Sequence, residues 1–482
     1  MIVRNEEHNL AECLTPVAEL FDEIVIVDTG SHDATQEIAR RFSPHVFSFE
    51  WCDDFAAARN EALKYATGDW IFWLDADDRL DPANISKLKQ LLSGLDEQPR
   101  AYMLDTHCSS LESWEEVRLI THLRLFRRHA QLAWRGRVHE QVSPCPSTLG
   151  YELLWSDVQI LHVGYTDAAL QQRKLHRDVR LLRMDYAVDP ADPSTLLHLG
   201  MAYARLANYP EARKYLHALL AQQQSPAEYL RRVYSSLIEV AMREGDMAAA
   251  IEAAGRGLAK FPSDQHLLYL LADALYEVDH FDAARDVLMR IILGPDQPQY
   301  HGGTPRDIKR KLAPRSLGDV FRVQGNHPAA EGTLQGLVEE FPHDAVCWHA
   351  LGRLYIDMQD REKLREVIDR LKDCPQGDVF GALLGGAWHL LRNEFEPANL
   401  LIEELIAKVP QMPLPRLMRA EWLSRCNAPI PACKQAYNDL LRLQPGSTYA
   451  QAVMRTLEAA ERASAPAAFD GWSTSVAVGA GL

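Results

Sequence analysis

The feature that most constrains this chain is a repeat of about 34 residues that begins near residue 193. A small residue recurs once per unit, and Ile238 is the one bulky exception. The series is Gly200, Ile238, Ala272, Gly318, Gly352, Gly386 and Ala420. Its spacings are 38, 34, 46, 34, 34 and 34 residues. A second series follows twelve residues later, at Ala212, Ala250, Ala284, Ala330, Leu364, Ala398 and Ala432. Small residues at a fixed period in helical sequence are typical of helix pairs that stack into a solenoid.

One unit carries a more specific pattern, which consists of Trp348, Leu351, Gly352 and Tyr355. With this pattern, the segment resembles the tetratricopeptide repeat, and weaker echoes occur in the other units. The resemblance implies a superhelix whose concave face binds extended peptides or helices. The predicted α-helical domains are a connecting helix at 166–192, about seven repeats at 193–445, and a terminal helix with a disordered tail at 446–482.

Residues 1–165 have a different pattern, because strand-like and helix-like segments alternate there. The runs Glu23–Asp28 and Trp70–Leu74 are predicted strands, and the Ala-rich run Asp54–Ala66 is a predicted helix. Such alternation predicts an α/β domain with a mostly parallel sheet covered by helices. Ligands bind beyond the carboxyl ends of the strands in such sheets. Asp28 and Asp75 end two predicted strands, so we expect the functional site there.

The sharpest local motif is the pair Asp75 and Asp77, which follows the apolar run Trp70–Leu74. Side chains alternate along an extended chain, so both carboxylates point to the same side. Two carboxylates so placed can share a divalent cation, which in turn holds a substrate diphosphate. The alternative, an ordinary solvated Asp-x-Asp loop, stays open at this point.

Charge and composition narrow the possible partners. The chain of 482 residues has a net charge of −16, of which residues 1–165 carry −12. An acidic chain without a basic stripe repels phosphate backbones, which argues against a nucleic-acid partner. No apolar run approaches the roughly 18 residues of a membrane helix, so no transmembrane segment is expected. The eight cysteines are scattered, as is typical of reduced thiols, and we expect a cytoplasmic protein.

Six segments of residues 1–165 occur in the order found in family 2 glycosyltransferases of the GT-A fold. They are MIVRNEE at 1–7, DEIVIVDTGSHDAT at 22–35, FAAARNEA at 55–62, WLDADD at 73–78, GRVHEQ at 136–141 and LHVGY at 161–165. The chain therefore resembles the bacterial branch of this family in which the catalytic domain is fused to tetratricopeptide repeats. A haloacid dehalogenase-type phosphatase is disfavoured because its Asp-x-Asp follows the first strand, and a dehydrogenase because no G-x-G-x-x-G follows a strand.

This resemblance implies a nucleotide-sugar donor, most simply a UDP-sugar, and a divalent cation, Mn²⁺ or Mg²⁺. It implies that Asp28 contacts the uracil, and that Asp75 and Asp77 bind the metal and the diphosphate. His162 lies where a histidine can complete the metal shell, and Arg59 lies where it can neutralise phosphate. For Asp28, a purely local role as the cap of the following turn is the alternative.

Glu140 is the predicted general base, which takes the proton of the acceptor as it attacks the anomeric carbon. Family 2 enzymes mostly invert configuration, so a single displacement with one base is expected. The alternative for Glu140 is a structural ion pair with Arg135 or Arg137. A group of further arginines is predicted to face solvent rather than the diphosphate: Arg124, Arg127 and Arg128.

The repeats are predicted to select the acceptor, a protein, a peptide or a glycan. In the usual geometry of the repeat, certain positions of each first helix face the groove. Here these positions hold Arg315, Asp319, Arg322, His349 and Arg353, a mainly basic set that suits an acidic peptide. Ordinary solvated positions are the alternative reading.

Two functional hypotheses therefore stand. The first is a metal-dependent glycosyltransferase that uses its repeats to bind an acceptor or partner. The second is a catalytically inactive scaffold with a degenerate glycosyltransferase domain. The chain starts at Met1, inside the expected first strand. Either that strand is truncated, which would leave the nucleoside pocket one element short, or the start codon is misassigned.

Overall fold

The computed structural model describes residues 1–108, 118–164, 168–223, 225–296 and 307–462. These residues form two compact units that divide near residue 230. Within them, every helix is too short or too polar to traverse a bilayer. The predicted tail, from residue 463 onward, lies outside the described residues.

The first unit contains three sheets. Its strands are β1 Ile2–Val3, β2 Ile26–Asp28, β3 Val46–Ser48, β4 Trp70–Phe72, β5 Asp78–Arg79, β6 Arg100–Cys108, β7 Arg118–Arg127, β8 Ala133–Arg135, β9 Gln141–Ser143 and β10 Glu152–His162. The first sheet has the order β1-β2-β3, the second β4-β7-β6-β10-β5, and the third pairs β8 with β9. Short β-branched and aromatic runs form these strands, as their propensity favours.

The prediction of a mostly parallel sheet is correct only for the first sheet, in which both strand pairs are parallel. In the second sheet, β6 pairs with β10 in parallel, and the other three pairs are antiparallel. Only nine residues separate β6 from β7. A parallel connection needs a crossover of a dozen residues or more, so these neighbours pair antiparallel.

Seven helices complete the first unit: α1 Leu10–Leu14, α2 Thr35–Phe42, α3 Phe55–Tyr65, α4 Pro82–Ser93, α5 Ala168–Val188, α6 Pro193–Arg205 and α7 Tyr209–Leu220. Three of them begin at a capping aspartate, since Asp54 accepts from the Ala57 amide, Asp81 from the Asn84 amide and Asp192 from the Thr195 amide. Apolar residues of α4 and the second sheet, among them Leu88, Leu104 and Ile160, form the core beneath the segment 73–78.

The second unit consists of helices: α8 Ala227–Glu244, α9 Met247–Lys260, α10 Gln265–Tyr276, α11 Phe281–Leu293, α12 Ala313–Val323, α13 His327–Glu340, α14 Ala345–Asp357, α15 Arg361–Leu371, α16 Gly377–Leu391, α17 Phe395–Lys408, α18 Pro413–Arg425, α19 Ile430–Leu443 and α20 Thr448–Arg462. Together with α6 and α7 they form seven consecutive helix pairs and a final helix. The predicted architecture, an α/β domain followed by an α-solenoid, is confirmed.

The repeated small residues lie where the helices cross. A Cβ atom added at Gly318 would lie 2.6 Å from the Leu334 side chain, and one added at Gly352 would lie 2.4 Å from Leu384. Both distances are far below van der Waals contact, so a larger residue would separate the helices. This close approach is the physical basis of the period seen in the sequence.

Candidate active site

The site is built around the loop that joins β4 to β5. Asp75 follows β4 by three residues, and its amide donates to the Asp78 carboxylate at 2.9 Å. The loop is closed on one side by the segment 162–164, where the Val163 amide donates to the Asp77 carbonyl at 2.9 Å. A Cβ added at Gly164 would lie 2.0 Å from the Asp77 carboxylate, so only glycine allows this approach.

Arg59 connects the two ends of the site. Its Nη2 donates to Asp75 at 2.9 Å and its Nε donates to Glu140 at 2.6 Å. The guanidinium is buried and lies over the rings of Trp73 and Trp134, at 4.4 and 5.2 Å from their centroids. One guanidinium therefore fixes the positions of the predicted donor-binding carboxylate and the predicted base.

Glu140 thus forms an ion pair, but with a residue that the sequence did not suggest. The alternative partner Arg137 instead contacts Asp185, at 3.3 Å. Glu140 is 12% exposed, which leaves one edge of the carboxylate within reach of a ligand. Its role as a base remains a prediction.

Asp78 and Arg124 form an ion pair of 2.8 Å, and both side chains are buried. Arg124 also donates to Thr106 at 3.1 Å and packs over the Trp73 ring at 3.8 Å. The expectation that Arg124 faces solvent is wrong, because β7 points this residue into the loop beneath the site. Its position, two residues from Phe126 in β7, was the signal in the sequence, since alternate residues of a strand share a face.

His162 lies between two carboxylates. Its Nδ1 is 3.0 Å from Asp78 and 3.4 Å from Asp77. An ionised carboxylate can only accept, so Nδ1 carries a hydrogen in these contacts. Although burial alone would lower the pKa of His162, the hydrogen bond to Asp78 and the nearby carboxylates raise it.

The acidic residues of the loop differ in their electrostatic environment. Burial raises the pKa of Asp77, and the neighbouring charges of Asp75 and Asp78 add to the effect. For Asp75, burial is outweighed by Arg59 and Arg124, which hold the pKa of this carboxyl well below its usual range. Repulsion between Asp77 and its neighbours is the kind of strain that a bound cation relieves.

These side chains fit a divalent cation in chemistry and proximity. The ligand atoms of Asp75, Asp78 and His162 all lie within 4.8 Å of one another. The sequence predicts Asp77 in place of Asp78 in this set, and Asp77 lies 3.4 Å from Nδ1 of His162. Both oxygens of Asp78 already accept hydrogen bonds. Asp78 is therefore suited to orient His162 and the loop, as residues around a metal ligand do.

Asp28, the last residue of β2, lies in the first sheet. Its Oδ1 accepts from the amides of Gly30 and Ser31, each at 3.0 Å, and from the Gln36 side chain at 3.1 Å. This is the turn-capping role considered above. Its Oδ2, however, is buried and has no hydrogen-bond partner among the described residues. A buried oxygen of this kind is costly unless a ligand donor meets it.

The structure brings together the five predicted groove residues on α12 and α14, in the second unit. Arg322 contacts Asp319 at 3.1 Å and Asp357 at 2.5 Å, and Arg353 lies 3.6 Å from Asp319. Arg315, Arg322, His349 and Arg353 are at most 8% exposed. Arg322 and Arg353 share Asp319 in a buried ion network, so little of this charge faces solvent. Burial, with the arginines nearby, lowers the pKa of His349 to about 3.

Family models match both parts of the chain. The model for Glycosyl transferase family 2 matches residues 1–147. Two tetratricopeptide repeat models match residues 194–223 and 241–303. The resemblances seen in the sequence are therefore confirmed for both parts.

Curated proteins with similar sequences include repeat proteins and glycosyltransferases. A TPR repeat-containing protein of Synechococcus elongatus is 33% identical over 261 residues, which covers 52% of this chain and 63% of that protein. The SPbeta prophage-derived glycosyltransferase SunS of Bacillus subtilis is 28% identical over 220 residues, covering 45% and 51%. The lipopolysaccharide core biosynthesis glycosyltransferase LpsC of Rhizobium meliloti is 33% identical over 155 residues, covering 30% and 56%.

This chain thus spans little more than half of the length of the curated relatives it matches. Among solved structures, a tetratricopeptide repeat protein from Parabacteroides merdae is similar, with a TM-score of 0.40 at 16% identity. That match covers 49% of this chain and 88% of the other.

Proposed function

From the premise that this chain joins a family 2 glycosyltransferase domain, at residues 1–147, to tetratricopeptide repeats, we propose that it transfers a sugar from a nucleotide-sugar donor to an acceptor. The observation that carries the proposal is the chain of contacts from Asp75 through Arg59 to Glu140. Asp75 and Glu140 contact the two ends of one buried guanidinium, which supports a donor-binding role for Asp75 and a role as base for Glu140.

The donor is a UDP-sugar in this proposal. The unpartnered Oδ2 of Asp28 supplies an acceptor for an N–H group of a pyrimidine base. Asp28 ends β2 and Asp75 follows β4, so both lie at the carboxyl ends of strands, where ligands of α/β domains bind. Asp28 holds the nucleoside, and the loop at 75–78 holds the diphosphate end.

Asp75, Asp77 and His162 would hold the divalent cation, Mn²⁺ or Mg²⁺. The Nδ1 contact to Asp78 would hold the imidazole of His162 in place for this role. When bound, the cation neutralises the charge of the diphosphate leaving group. Asp78 is the third carboxylate of the loop. Because it is already ion-paired to Arg124, we do not assign it as a metal ligand.

Glu140 takes the proton from the acceptor nucleophile. As the acceptor atom bonds to the anomeric carbon, the bond from that carbon to the diphosphate oxygen breaks, and configuration inverts. Arg59 holds Glu140 oriented for this step through the 2.6 Å contact. The same guanidinium anchors Asp75, so donor and base are positioned by one residue.

The acceptor is a protein or a peptide held by the repeats, with a glycan as the other class. Helical repeats of this kind offer a long concave surface for a partner chain. The name of LpsC refers to lipopolysaccharide core biosynthesis for that relative, which is why a glycan is retained. The ion network of Arg315, Arg322 and Arg353 supports the repeats' own packing, so the contacts with an acceptor are to be sought elsewhere on the groove.

The cellular location proposed is the cytoplasm. The seven cysteines whose side chains the structure describes are free thiols. Scattered unpaired thiols, several of them buried, are typical of a reducing compartment.

Calorimetric titration of the full chain with UDP, with and without Mn²⁺, tests the proposal. We expect UDP to bind only when the metal is present. In a separate screen of sugar nucleotides, we expect slow hydrolysis of one donor. Asp77→Asn removes a carboxylate from the loop and should abolish the metal-dependent heat.

Asp69→Asn is the matched control. Asp69 is exposed and immediately precedes β4, the strand that leads into the loop of Asp77. UDP binding of Asp69→Asn should therefore remain as in the unchanged protein. No metal-dependent heat and no hydrolysis in the unchanged protein would instead support the inactive scaffold. Equal metal-dependent binding in Asp77→Asn would contradict the metal assignment alone.

A further inference from the structure

Helix α5 occupies the stretch that the sequence presents as a connection between the two domains. In the structure it packs within the first compact unit, and its side chains contact two loops of the α/β domain. These loops, 51–55 and 135–140, lead directly to Arg59 and Glu140. We propose that α5 is a brace that positions the Arg59–Glu140 pair, with Asp185 and Arg180 as positioning residues.

Asp185 holds the loop that carries Glu140. Its Oδ2 accepts from the Arg137 amide at 2.9 Å, and its Oδ1 lies 3.3 Å from the Arg137 guanidinium. Both side chains are about three-quarters buried, with exposures of 21% and 27%. Asp185 thus contacts both the backbone and the side chain of Arg137. These two contacts fix the path of the loop three residues before Glu140.

Arg180 holds the other loop. Its guanidinium donates twice to the Asp53 carboxylate, at 2.7 and 2.8 Å. Asp53 has φ of 59°, in the left-handed region that non-glycine residues rarely adopt. Such a conformation persists where its surroundings hold it. Trp51 adds a further hydrogen bond to the same carboxylate, at 3.0 Å.

The two loops are also joined to each other. The Phe55 amide donates to the Arg137 carbonyl at 2.9 Å, and the Arg137 side chain donates to the Asp53 carbonyl at 3.2 Å. Phe55 is the first residue of α3, the helix that carries Arg59 one turn later. A shift at either loop would therefore move one partner of the 2.6 Å contact between Arg59 and Glu140.

The first repeat helix adds a contact to the same loop. The ring of His139 stacks on that of His198, in α6, with centroids 4.5 Å apart and planes 15° apart. His139 also has a positive φ, of 55°, and it immediately precedes Glu140. The residues after 165 are thus part of the scaffold of the site rather than a spacer.

The inference depends on the proposed function only for its kinetic test. Asp185→Ala removes the acceptor of the Arg137 amide, and Asp185→Asn keeps an acceptor oxygen but removes the charge. We expect turnover of Asp185→Ala to fall on the order of tenfold or more, because small misplacements of catalytic groups are costly. Asp185→Asn should lose less, and the affinity for UDP with Mn²⁺ should change less than about twofold in both.

Hydrogen exchange gives a second readout that does not need activity. The amides of 53–55 and 135–140 should exchange faster in Asp185→Ala and in Arg180→Ala. Arg183→Ala is the matched control, because Arg183 is exposed on the same helix and makes no ion pair or hydrogen bond with the described residues.

The outcomes separate the two proposals. If the protein without substitutions showed neither transfer nor donor hydrolysis, the proposed function would be overturned. Hydrogen exchange at the two loops would still test the brace in that case. An active protein in which Asp185→Ala, folded by its melting curve, keeps full turnover and normal exchange would overturn the brace. A parallel loss of UDP affinity and turnover would also overturn it, since that would indicate general disruption.

Discussion

At the scale of single residues, the site depends on how carboxylates are paired. Arg59 serves both Asp75 and Glu140, so the two residues are coupled even though they act on different substrates. Glu140→Gln keeps the shape and a hydrogen-bond acceptor for Arg59 but cannot take a proton. We expect turnover to fall roughly 10²- to 10⁴-fold, as is usual for loss of a general base. UDP affinity, measured by calorimetry, should stay within about twofold.

A loss of UDP affinity as large as the loss of turnover would contradict this assignment of Glu140. It would show that the residue acts on the donor side through Arg59. The natural comparison is Glu61→Gln, in the same unit, since Glu61 forms an ion pair of 3.4 Å with the exposed Lys64.

Glu421, in α18, is a buried acid far along the repeats. Burial raises its pKa to about 8, with partial compensation by Arg425. The folded state therefore keeps a proton that the unfolded state releases, and stability should fall as pH rises from about 4.5 to about 8. Glu421→Gln removes this dependence, so its melting temperature should exceed that of the unchanged protein by a margin that grows from about pH 4.5 to about pH 8.

The expected gain at the upper end is on the order of 1–3 kcal/mol, the usual cost of a buried group without a partner. Thermal melts of both proteins across this range measure it. A constant difference at every pH would mean that Glu421 is ionised in the folded state throughout.

At the scale of helices, the small residue of each repeat sets the distance between partners. Gly318→Ala adds a methyl group 2.6 Å from the buried Leu334, so the pair α12–α13 must separate. We expect a destabilisation of about 1–3 kcal/mol, as for overpacked cores. Gly332→Ala, on α13, meets no atom within 4 Å and should stabilise by up to about 1 kcal/mol, because alanine favours the helix.

Melting curves of the two glycine variants provide the test. Opposite signs for the same chemical change would show that packing rather than propensity selects Gly318. A neutral Gly318→Ala would mean that Leu334 can move aside at little cost.

At the scale of the whole molecule, the first compact unit includes the α/β domain together with α5, α6 and α7. A chain that ends at residue 226, before α8, should therefore fold and hydrolyse the donor at a rate within a few-fold of the full chain. Transfer to the true acceptor should be lost, because most of the repeats are absent. A chain that ends at 165 lacks the contacts of Asp185 and Arg180 and should hydrolyse the donor much more slowly.

Donor hydrolysis and acceptor transfer, measured on the same preparations, distinguish these outcomes. If the chain ending at 226 transferred the sugar as well as the full chain, the repeats of the second unit would not select the acceptor. If the chain ending at 165 were fully active, α5 would be a linker after all.

The sequence by itself determined the architecture, because its signals are local or periodic. The recurrence of Gly318, Gly352 and Gly386 at 34 residues follows from helix crossings that repeat once per unit. The apolar run before Asp75 and the order of the six matching segments were enough to identify the α/β domain and its family. Spacing along the chain contains this information directly.

Only the tertiary structure decided which charges meet. Arg59 pairs with residues 16 and 81 positions away, and Arg124 pairs with Asp78 across 46 positions. The same holds for the groove arginines, which neighbouring repeats bury in ion pairs, and for the contacts of α5 with two distant loops. Such pairs depend on how strands and helices pack in space, and no spacing rule of a single sequence specifies that packing.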